Sequence, residues 1–339
     1  MIDGSAKESL SISFNLIRSC IYTIKYRRDS LNNSSIDAAP VAATPNVLLV
    51  GGCGYIGSYL HNKLIDSNFS VTVCDRLVRG NPSLIDNVLN CDYESLDPTF
   101  LSSFDAVLWF GGHSSVSQSV LDPKGALSNN CLNLFNFAKK LSPDTKLIYA
   151  SSGSLYSNKS AHAIPASETS LATIPSQNPY DISKFAFDYI AQNFLENFYA
   201  LRMGTLSGYS PNIREELVFN AMNLSAVRTA QVRLKNSESN RTILFLSDLW
   251  VLIKKLLLTK QQPGIFNAGS NSFKMGELAH AIAMTWDAQV LYEGDSETYS
   301  FLLDTTKMKA ICGSELPVSD LQTRCREFIA DYRAGKGSI

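Results

Sequence analysis

From residue 46 onwards, short apolar runs alternate with longer segments whose apolar residues recur at helical spacing. The apolar runs predict buried strands at 47–50, 70–74, 89–92, 104–110, 146–150, 199–202 and 264–269. The other segments predict helices at 58–66, 125–141, around Tyr180, at 214–227, up to Leu258 and at 275–286. This alternation is typical of an α/β fold with a doubly wound parallel sheet. The pattern is looser in residues 201–335, which we expect to form mainly a smaller C-terminal α/β lobe with some elements returning to the sheet.

Residues 1–44 do not follow this pattern. Residues 10–24 are apolar, but Arg18 interrupts the run, which is too short to span a membrane. Lys25 and two arginines follow, and then a linker rich in Ser, Asn, Ala and Pro. We expect a poorly ordered or partner-docked extension; an interfacial or targeting segment is the alternative.

The first predicted strand runs directly into the sequence Gly51-Gly-Cys-Gly-Tyr-Ile-Gly57 and then into a helix. Glycines at these spacings let the backbone turn tightly and approach a pyrophosphate, and the helix N-terminus offers N–H donors. The strand–turn–helix context favours this interpretation over a glycine-rich turn without a nucleotide. The residues predicted to bind a dinucleotide here are Gly51, Gly54, Tyr55, Ile56 and Gly57.

Two carboxylates at the next strand ends suit the adenosine half of a dinucleotide. Asp75 lies a little over twenty residues past Gly51, where a carboxylate accepts ribose hydroxyls and repels a 2′-phosphate. It therefore favours NAD, although Arg76 and Arg79 keep NADP open as the alternative. Asp92 ends the third strand and could reach the adenine amino group, or it could cap a turn.

Tyr180 and Lys184 are four residues apart and so share one face of a helix. A free phenol titrates near pH ~10, and a neighbouring ammonium lowers that pKa. Such a tyrosine could exchange a proton with a sugar or alcohol oxygen near neutrality. Taken alone, the pair also fits a helix with one long surface lysine.

Two more strand ends carry residues suited to the same site. Gly111 follows the fourth strand, where its backbone could lie against the dinucleotide, and Ser114 is predicted to contact the substrate. Ser152 follows the fifth strand, at the edge where open α/β sheets bind ligands. A serine in such a place could instead be a turn or cap residue.

The helix that carries Tyr180 is apolar on two sides. Ile182 and Tyr189 belong to one cluster, and Phe187 and Phe194 belong to a second strip nearer Tyr180. Such a helix must be covered on both sides. We predict a homodimer through this helix and the 125–141 helix; a second internal layer is the alternative.

Composition restricts the possible functions. The chain has 339 residues, of which 45% are hydrophobic and 18% charged, and its net charge of −1 gives no basis for binding nucleic acid or an anionic membrane. Its seven cysteines form no Cys-x-x-Cys pair, which favours buried free thiols in a reducing compartment and hence the cytoplasm. Its four histidines lack ligand spacing, so we predict no metal site.

Taken in order, these residues resemble the extended short-chain dehydrogenase/reductase family, in particular its NAD-dependent nucleotide-sugar epimerase/dehydratase branch. The resemblance covers about residues 46–335, with 46–200 as the NAD-binding Rossmann-type domain and 201–335 as mainly the substrate lobe. The 150–156 segment resembles the branch's strand-end motif, in which Ser152 would be the catalytic hydroxyl. The 201–208 segment resembles another family motif, but Thr205 stands where Asn is usual.

The resemblance implies a mechanism and a substrate. Tyr180 would take the proton of a sugar hydroxyl while C4 gives hydride to the nicotinamide, Ser152 would bind the same oxygen, and Lys184 would hold the cofactor ribose. Asn220 and Arg241 match positions that bind the diphosphate side of a nucleotide sugar.

One difference within the family favours 4-epimerisation. Related dehydratases carry Asp and Glu directly after the catalytic hydroxyl, whereas this chain has Gly153 and Ser154. A nucleotide-sugar reductase or dehydrogenase of the same family is the first alternative. A non-catalytic NAD(P)-binding scaffold protein is the alternative from another class.

Overall fold

The structure is a computed structural model that describes residues 44–157, 164–170, 178–296 and 298–336. From Thr44 onwards the chain forms one unit. The predicted N-terminal extension, apart from Thr44 itself, lies outside the described residues. In the described ranges, no helix is both long enough and apolar enough to cross a membrane.

The centre of the fold is a parallel sheet. Its strands in the described part of the chain are β1 (Asn46–Val50), β2 (Ser70–Asp75), β3 (Leu89–Asn90), β4 (Ala106–Trp109), β5 (Lys146–Ser152), β6 (Phe198–Met203) and β10 (Gly264–Ala268). Their order is β10-β6-β5-β4-β1-β2-β3, and every neighbouring pair runs parallel. The order reverses direction between β1 and β4, which is where open α/β sheets bind ligands.

Helices cover both faces of this sheet. The helices of the described chain are α1 (Tyr55–Asp66), α2 (Pro98–Leu101), α3 (Val116–Leu121), α4 (Pro123–Leu127), α5 (Asn133–Ala138), α6 (Pro179–Phe194), α7 (Val218–Thr229), α8 (Leu246–Leu258), α9 (Met275–Trp286), α10 (Thr306–Cys312) and α11 (Leu321–Lys336). Of these, α7, α9 and α11 pack in a separate core of the C-terminal half. On one face Leu60 of α1 and Ile253 of α8 pack with Leu49 of β1. On the other, Phe187 of α6 packs with Trp109 of β4. The predicted doubly wound α/β fold is confirmed.

A second core lies in the C-terminal half. Strands β7 (Thr205–Ser207), β9 (Asn240–Phe245) and β11 (Asn271–Lys274) form one small sheet, and β8 (Gln231–Leu234) pairs with β12 (Gln289–Tyr292). Phe219 is the centre of their core, with its ring centroid 5.1 Å from that of Phe245 and 5.7 Å from that of Phe328. Two elements of this half belong to the central sheet instead: β10 is one of its strands, and α8 packs on one of its faces.

Three predicted elements differ in the structure. The helix expected at 214–227 begins at Val218 and ends at Thr229. The helix expected at 125–141 consists of α4, a π-helical turn at Ser128–Leu132, and α5. The π turn directs Asn129 and Asn130 towards the segment after β4, where their Nδ2 atoms donate to Gly111 O (3.1 Å) and His113 O (3.2 Å). The third strand is two residues long, because Asp92 caps the next turn by accepting from Glu94 N at 3.2 Å.

Candidate active site

The turn after β1 is packed so closely that side chains would not fit. Gly51 has a φ of 78°, and a Cβ on it would lie 2.6 Å from Gly111 N. A Cβ on Gly57 would lie 2.1 Å from Gly51 O, so α1 sits directly against the turn. The N-cap residue of α1, Gly54, has no side chain to occupy the first N–H groups of the helix. This arrangement fits the pyrophosphate of a dinucleotide.

Asp75 lies half-buried beside this turn. Its carboxylate accepts hydrogen bonds from Cys53 N (2.9 Å) and Leu77 N (2.8 Å), so it fixes the loop on either side of the predicted ribose position. Arg76 forms an ion pair with Asp92, with 3.4 Å between Nη1 and Oδ2. Because Asp92 partly neutralises Arg76, that arginine is less suited to a 2′-phosphate, and the predicted preference for NAD is strengthened.

Two residues predicted to bind ligands, Tyr55 and Asn220, form hydrogen bonds within the protein itself. The Tyr55 hydroxyl donates to Gly208 O at 2.7 Å, which leaves its backbone N–H as the group that could meet a cofactor. Asn220 is fully buried, accepts from Gly208 N (3.0 Å) and donates to Arg214 O (3.0 Å). The positive-φ turn at Gly208 requires these partners, so the prediction that Asn220 contacts a substrate diphosphate gains no support.

Ser152, Tyr180 and Lys184 converge at the carboxyl end of β5. Lys184 is buried and donates from Nζ to Ala150 O at 2.8 Å. The same nitrogen lies 5.0 Å from the Trp109 ring centroid and 5.9 Å from that of Tyr180. The Ser152 hydroxyl interacts with the Tyr180 phenol. The structure therefore brings together the three residues predicted to be catalytic.

The acidities of this pair differ from the expectation. Burial raises the pKa of Tyr180 to about 12, while the interaction with Ser152 acts in the opposite direction. Burial also lowers the pKa of Lys184 to about 7, against the attraction of Asp188. The prediction that Lys184 lowers the pKa of Tyr180 is therefore not met by this geometry, because desolvation penalises both charged forms.

A chain of hydroxyls behind Ser152 escaped the sequence reasoning. Ser152 Oγ lies 2.7 Å from Ser154 Oγ, and Ser154 Oγ donates in turn to Asp181 Oδ1. Asn178 Nδ2 donates to Asp181 Oδ2 at 2.7 Å, and its Oδ1 caps the first turn of α6 by accepting from Tyr180 N at 3.0 Å. The available signal was Asp181 itself, a carboxylate directly beside the candidate base in the sequence.

A second carboxylate of α6 was missed as well. Asp188 is fully buried and accepts from Tyr149 OH (2.9 Å), Ser151 Oγ (2.9 Å) and Arg202 Nε (2.8 Å). Burial is the largest single influence on Arg202 and opposes its charge, but Asp188 and Tyr156 together outweigh it and raise the pKa of the guanidinium. Asp188 lies four residues after Lys184, so its position on the same helical face could have been read from the spacing.

Arg241 of β9 is the predicted substrate residue with the most suggestive surroundings. Its guanidinium lies 5.4 Å from the Phe301 ring centroid, and Phe301 Cε2 would be 3.1 Å from a Cβ on Gly153. Nη2 donates to Thr298 Oγ1 at 2.9 Å, whereas the buried Nη1 has no acceptor among the described residues. Burial lowers the Arg241 pKa to about 10. Ser114, by contrast, is simply exposed.

No metal site accompanies these groups within the described ranges, where three or more His, Cys, Asp or Glu side chains nowhere cluster. The site thus offers a glycine-rich turn at one end and, at the other, a phenol, an amine, hydroxyls and a guanidinium. These groups suit hydride and proton transfer at an alcohol carbon of an anionic substrate.

Comparisons with known proteins agree with a site suited to a dinucleotide and to hydride transfer. A model described as "NAD dependent epimerase/dehydratase family" matches residues 47–269. A UDP-glucose 4-epimerase from Halalkalibacterium halodurans is 31% identical over 180 residues, covering 50% of this chain and 53% of the relative. A bifunctional UDP-glucose 4-epimerase and UDP-xylose 4-epimerase from Pisum sativum is 25% identical over 173 residues, covering 45% and 48%. The chain spans about half the length of these curated relatives.

Solved structures confirm the fold. A NAD-dependent NDP-hexosamine 5,6-dehydratase of tunicamycin biosynthesis superposes with a TM-score of 0.75 at 20% identity, covering 86% of this chain and 99% of that one. The UDP-glucose 4-epimerase of Thermotoga maritima, solved with UDP-glucose, gives 0.72 at 20% identity, covering 85% and 99%. Because this fold carries both an epimerase and a dehydratase, the fold does not choose between these reactions.

Proposed function

We propose that this chain, which belongs to the NAD dependent epimerase/dehydratase family, is a nucleotide-sugar epimerase that uses NAD and acts at C4 of the sugar. The observation that carries the proposal is the convergence of Ser152, Tyr180 and Lys184 beside the glycine-rich turn. Gly153 and Ser154 follow Ser152 where dehydration would call for a carboxylate pair, and this favours epimerisation over loss of water.

The residues present divide the reaction between them. NAD, held by the turn at Gly51, Gly54 and Gly57, would supply reversible hydride transfer at the sugar carbon, with the hydride given back on the opposite face. Tyr180 takes the proton of the hydroxyl on that carbon and gives it back to the same oxygen, and Ser152 holds this oxygen in place. Lys184, when protonated, balances the charge of the Tyr180 phenolate. Proton and hydride both return to the sugar, so the reaction is an isomerisation with no net oxidation.

Arg241 supports an anionic substrate such as a nucleotide diphosphate sugar. Among the described residues Arg241 Nη1 has no acceptor, and a buried guanidinium nitrogen left unpaired costs free energy. A phosphate oxygen would satisfy it with a charge-assisted hydrogen bond. The Phe301 ring beneath Arg241 also lies against Gly153, next to the catalytic serine. The guanidinium is thus close enough to the reacting end to bind the phosphate side of the same molecule.

The outer surface of α6 supports a homodimer. Phe187 and Lys184 face the protein's own core, whereas Ile182, Tyr189 and Phe194 are exposed on the same helix. Leu132, in the neighbouring π turn, is exposed as well. A second copy of this chain would cover these apolar side chains. Light scattering should then give twice the 37.3-kDa chain mass.

The test is turnover of a panel of UDP-, GDP- and dTDP-sugars, with product mass and configuration read by mass spectrometry and NMR. An epimerase gives a product of unchanged mass and inverted C4. Tyr180→Phe should lower turnover about 100-fold or more because it removes the group that moves the proton. Tyr189→Phe, an exposed tyrosine on the same helix, is the matched control and should leave turnover unchanged.

Other outcomes identify the alternatives. Loss of one water from the product would establish a dehydratase, and stoichiometric consumption or formation of NADH would establish a reductase or dehydrogenase. Unchanged turnover in Tyr180→Phe would overturn the assigned base. Denatured protein should release NAD; recovery of NADP, or of no dinucleotide after incubation with NAD, would contradict the cofactor assignment.

A further inference from the structure

Asp181 is a fully buried carboxyl group in the first turn of α6, next to the predicted catalytic base. Burial raises its pKa, and the hydrogen bond from Ser154 acts against this. Its two oxygens are bound by Ser154 Oγ and by Asn178 Nδ2. In the described part of the chain, no cation forms an ion pair with it. The charge of this carboxyl group is therefore balanced only by two neutral hydrogen-bond donors.

Three hydroxyls connect this carboxyl to the site. They run from the Tyr180 phenol to Ser152, from Ser152 to Ser154, and from Ser154 to Asp181. Ser152 Oγ already accepts a hydrogen bond from Ser154 N at 3.3 Å. Its single hydroxyl proton must therefore point either at Ser154 or at Tyr180.

The protonation state of Asp181 decides which way that proton points. When Asp181 is ionised, Ser154 donates to it, Ser152 donates to Ser154, and the Tyr180 O–H donates to Ser152. When Asp181 carries the proton, it donates to Ser154, Ser154 donates to Ser152, and Ser152 donates to the Tyr180 oxygen. In the first arrangement Ser152 accepts from the phenol, which favours the protonated form of Tyr180. In the second Ser152 donates to the Tyr180 oxygen, which favours the phenolate.

We propose that Asp181 is a positioning residue that, through Ser154 and Ser152, sets the direction of the hydroxyl chain and thereby how readily Tyr180 gives up its phenol proton. The proposal rests on the proposed function, because it concerns the acid/base role of Tyr180.

Several ionisable groups surround the row of hydroxyls that runs from Tyr180 to Asp181. Lys184 lies beside the Tyr180 ring, and Arg214 lowers the pKa of Tyr180 from the C-terminal half. Tyr299 accepts from Asn178 on the side of Asp181 away from Ser154. The charge of Asp181 itself raises the pKa of Tyr180. A through-space charge effect and an effect through the hydroxyl chain therefore act in the same direction, and the experiment must separate them.

Asp181→Asn fits the protonated arrangement. Asn178 Nδ2 would donate to the new amide oxygen, and the new amide N–H would donate to Ser154, as the neutral carboxyl does. Titration of Tyr180 is followed by tyrosinate absorbance after rapid mixing to alkaline pH, as the difference between each protein and its Tyr180→Phe counterpart. We expect the Tyr180 midpoint to fall by about one pH unit or more in Asp181→Asn.

Ser154→Ala is the matched variant, because it breaks the hydroxyl chain and leaves the Asp181 charge in place. In a Ser154→Ala background, Asp181→Asn should shift the Tyr180 midpoint by less than half as much as it does in the native background. An equal shift in both backgrounds would reduce Asp181 to a through-space charge and overturn the proposal. An unchanged midpoint in Asp181→Asn would overturn it too.

This titration needs no substrate, so its result is separate from that of the turnover assay. If no nucleotide sugar is turned over but the midpoints behave as expected, the proposed function fails and the coupling of Asp181 to Tyr180 stands. If turnover is found, its pH profile should shift to lower pH in Asp181→Asn by the same amount as the titration. A profile that does not move would contradict the role of Asp181 in the reaction.

Discussion

Asp188→Asn should destabilise the protein strongly, although it changes only one atom. The substitution keeps the shape of the side chain and can still satisfy Tyr149 and Ser151, but it leaves the Arg202 guanidinium, 3% exposed, without its carboxylate. Breaking a buried ion pair from one side costs about 3–5 kcal/mol. For a chain of this size, that lowers the thermal midpoint by on the order of 10 °C, measurable by circular dichroism or calorimetry near neutral pH.

Two further variants make this reasoning refutable. Arg202→Met in the Asp188→Asn background removes the stranded charge, so the double variant should regain most of the lost stability. Glu215→Gln breaks the half-exposed pair with Arg228 and should cost only about 0–1 kcal/mol. Two results would show that burial does not control the energy of the Asp188–Arg202 pair. One is a thermal midpoint of Asp188→Asn that is no lower than that of Glu215→Gln. The other is a double variant whose loss of stability equals the sum of the two single losses.

Three other predictions follow from distances, burial and charge. Gly57→Ala should abolish NAD retention, because its Cβ would lie 2.1 Å from a backbone oxygen. In Gly54→Ala the nearest atom to the new Cβ is 3.3 Å away, so this variant should keep most of its bound NAD. The measurement is dinucleotide per chain, and equal losses in the two variants would refute the prediction. Below about pH 7 the buried Lys184 ammonium is charged and unfavourable, so Lys184→Met should have a higher thermal midpoint than the native protein. The thermal midpoints of the two proteins should converge as pH rises towards 10.5, the ordinary pKa of lysine. A difference that stays constant with pH would contradict the lowered pKa of Lys184. Arg241→Met should raise KM for a nucleotide sugar about tenfold or more, and Arg233→Met, at an exposed ion pair, should leave it unchanged; equal effects would remove the phosphate role of Arg241.

Much of the central fold could be predicted because its signals are local. Apart from the two-residue β3, the strands of the parallel sheet are centred on short apolar runs, and the spacing of the glycines at the Gly51 turn predicts a tight turn before a helix. Tyr180 and Lys184 were likewise predictable as a pair, since four residues on a helix place two side chains on one face. In these cases a few adjacent residues determine the conformation.

What the sequence did not reveal depends on contacts between distant segments. The π turn at Ser128–Leu132 is favoured because Asn129 and Asn130 find partners at Gly111 and His113, which no periodicity reports. Asn220 stays a predicted substrate residue, and its order in the motif could not show that its side chain also holds the turn at Gly208.

Acidity was the least predictable property of the site. The expectation that Lys184 makes Tyr180 more acidic considered the charge of a neighbour and not the loss of water around both groups. Desolvation depends on how completely β4, β5 and α6 enclose the pair, and this is a property of the assembled protein.

The position of β10 bears on how the chain can be synthesised and divided. Strand β6, whose six residues are all buried, pairs on one side with β10, which comes from Gly264–Ala268. A nascent chain that ends anywhere before β10 therefore exposes β6 as an apolar sheet edge, which invites pairing with other chains. A fragment cut near residue 200 would be prone to aggregate, and the central sheet can be completed only after the C-terminal half has left the ribosome as far as β10.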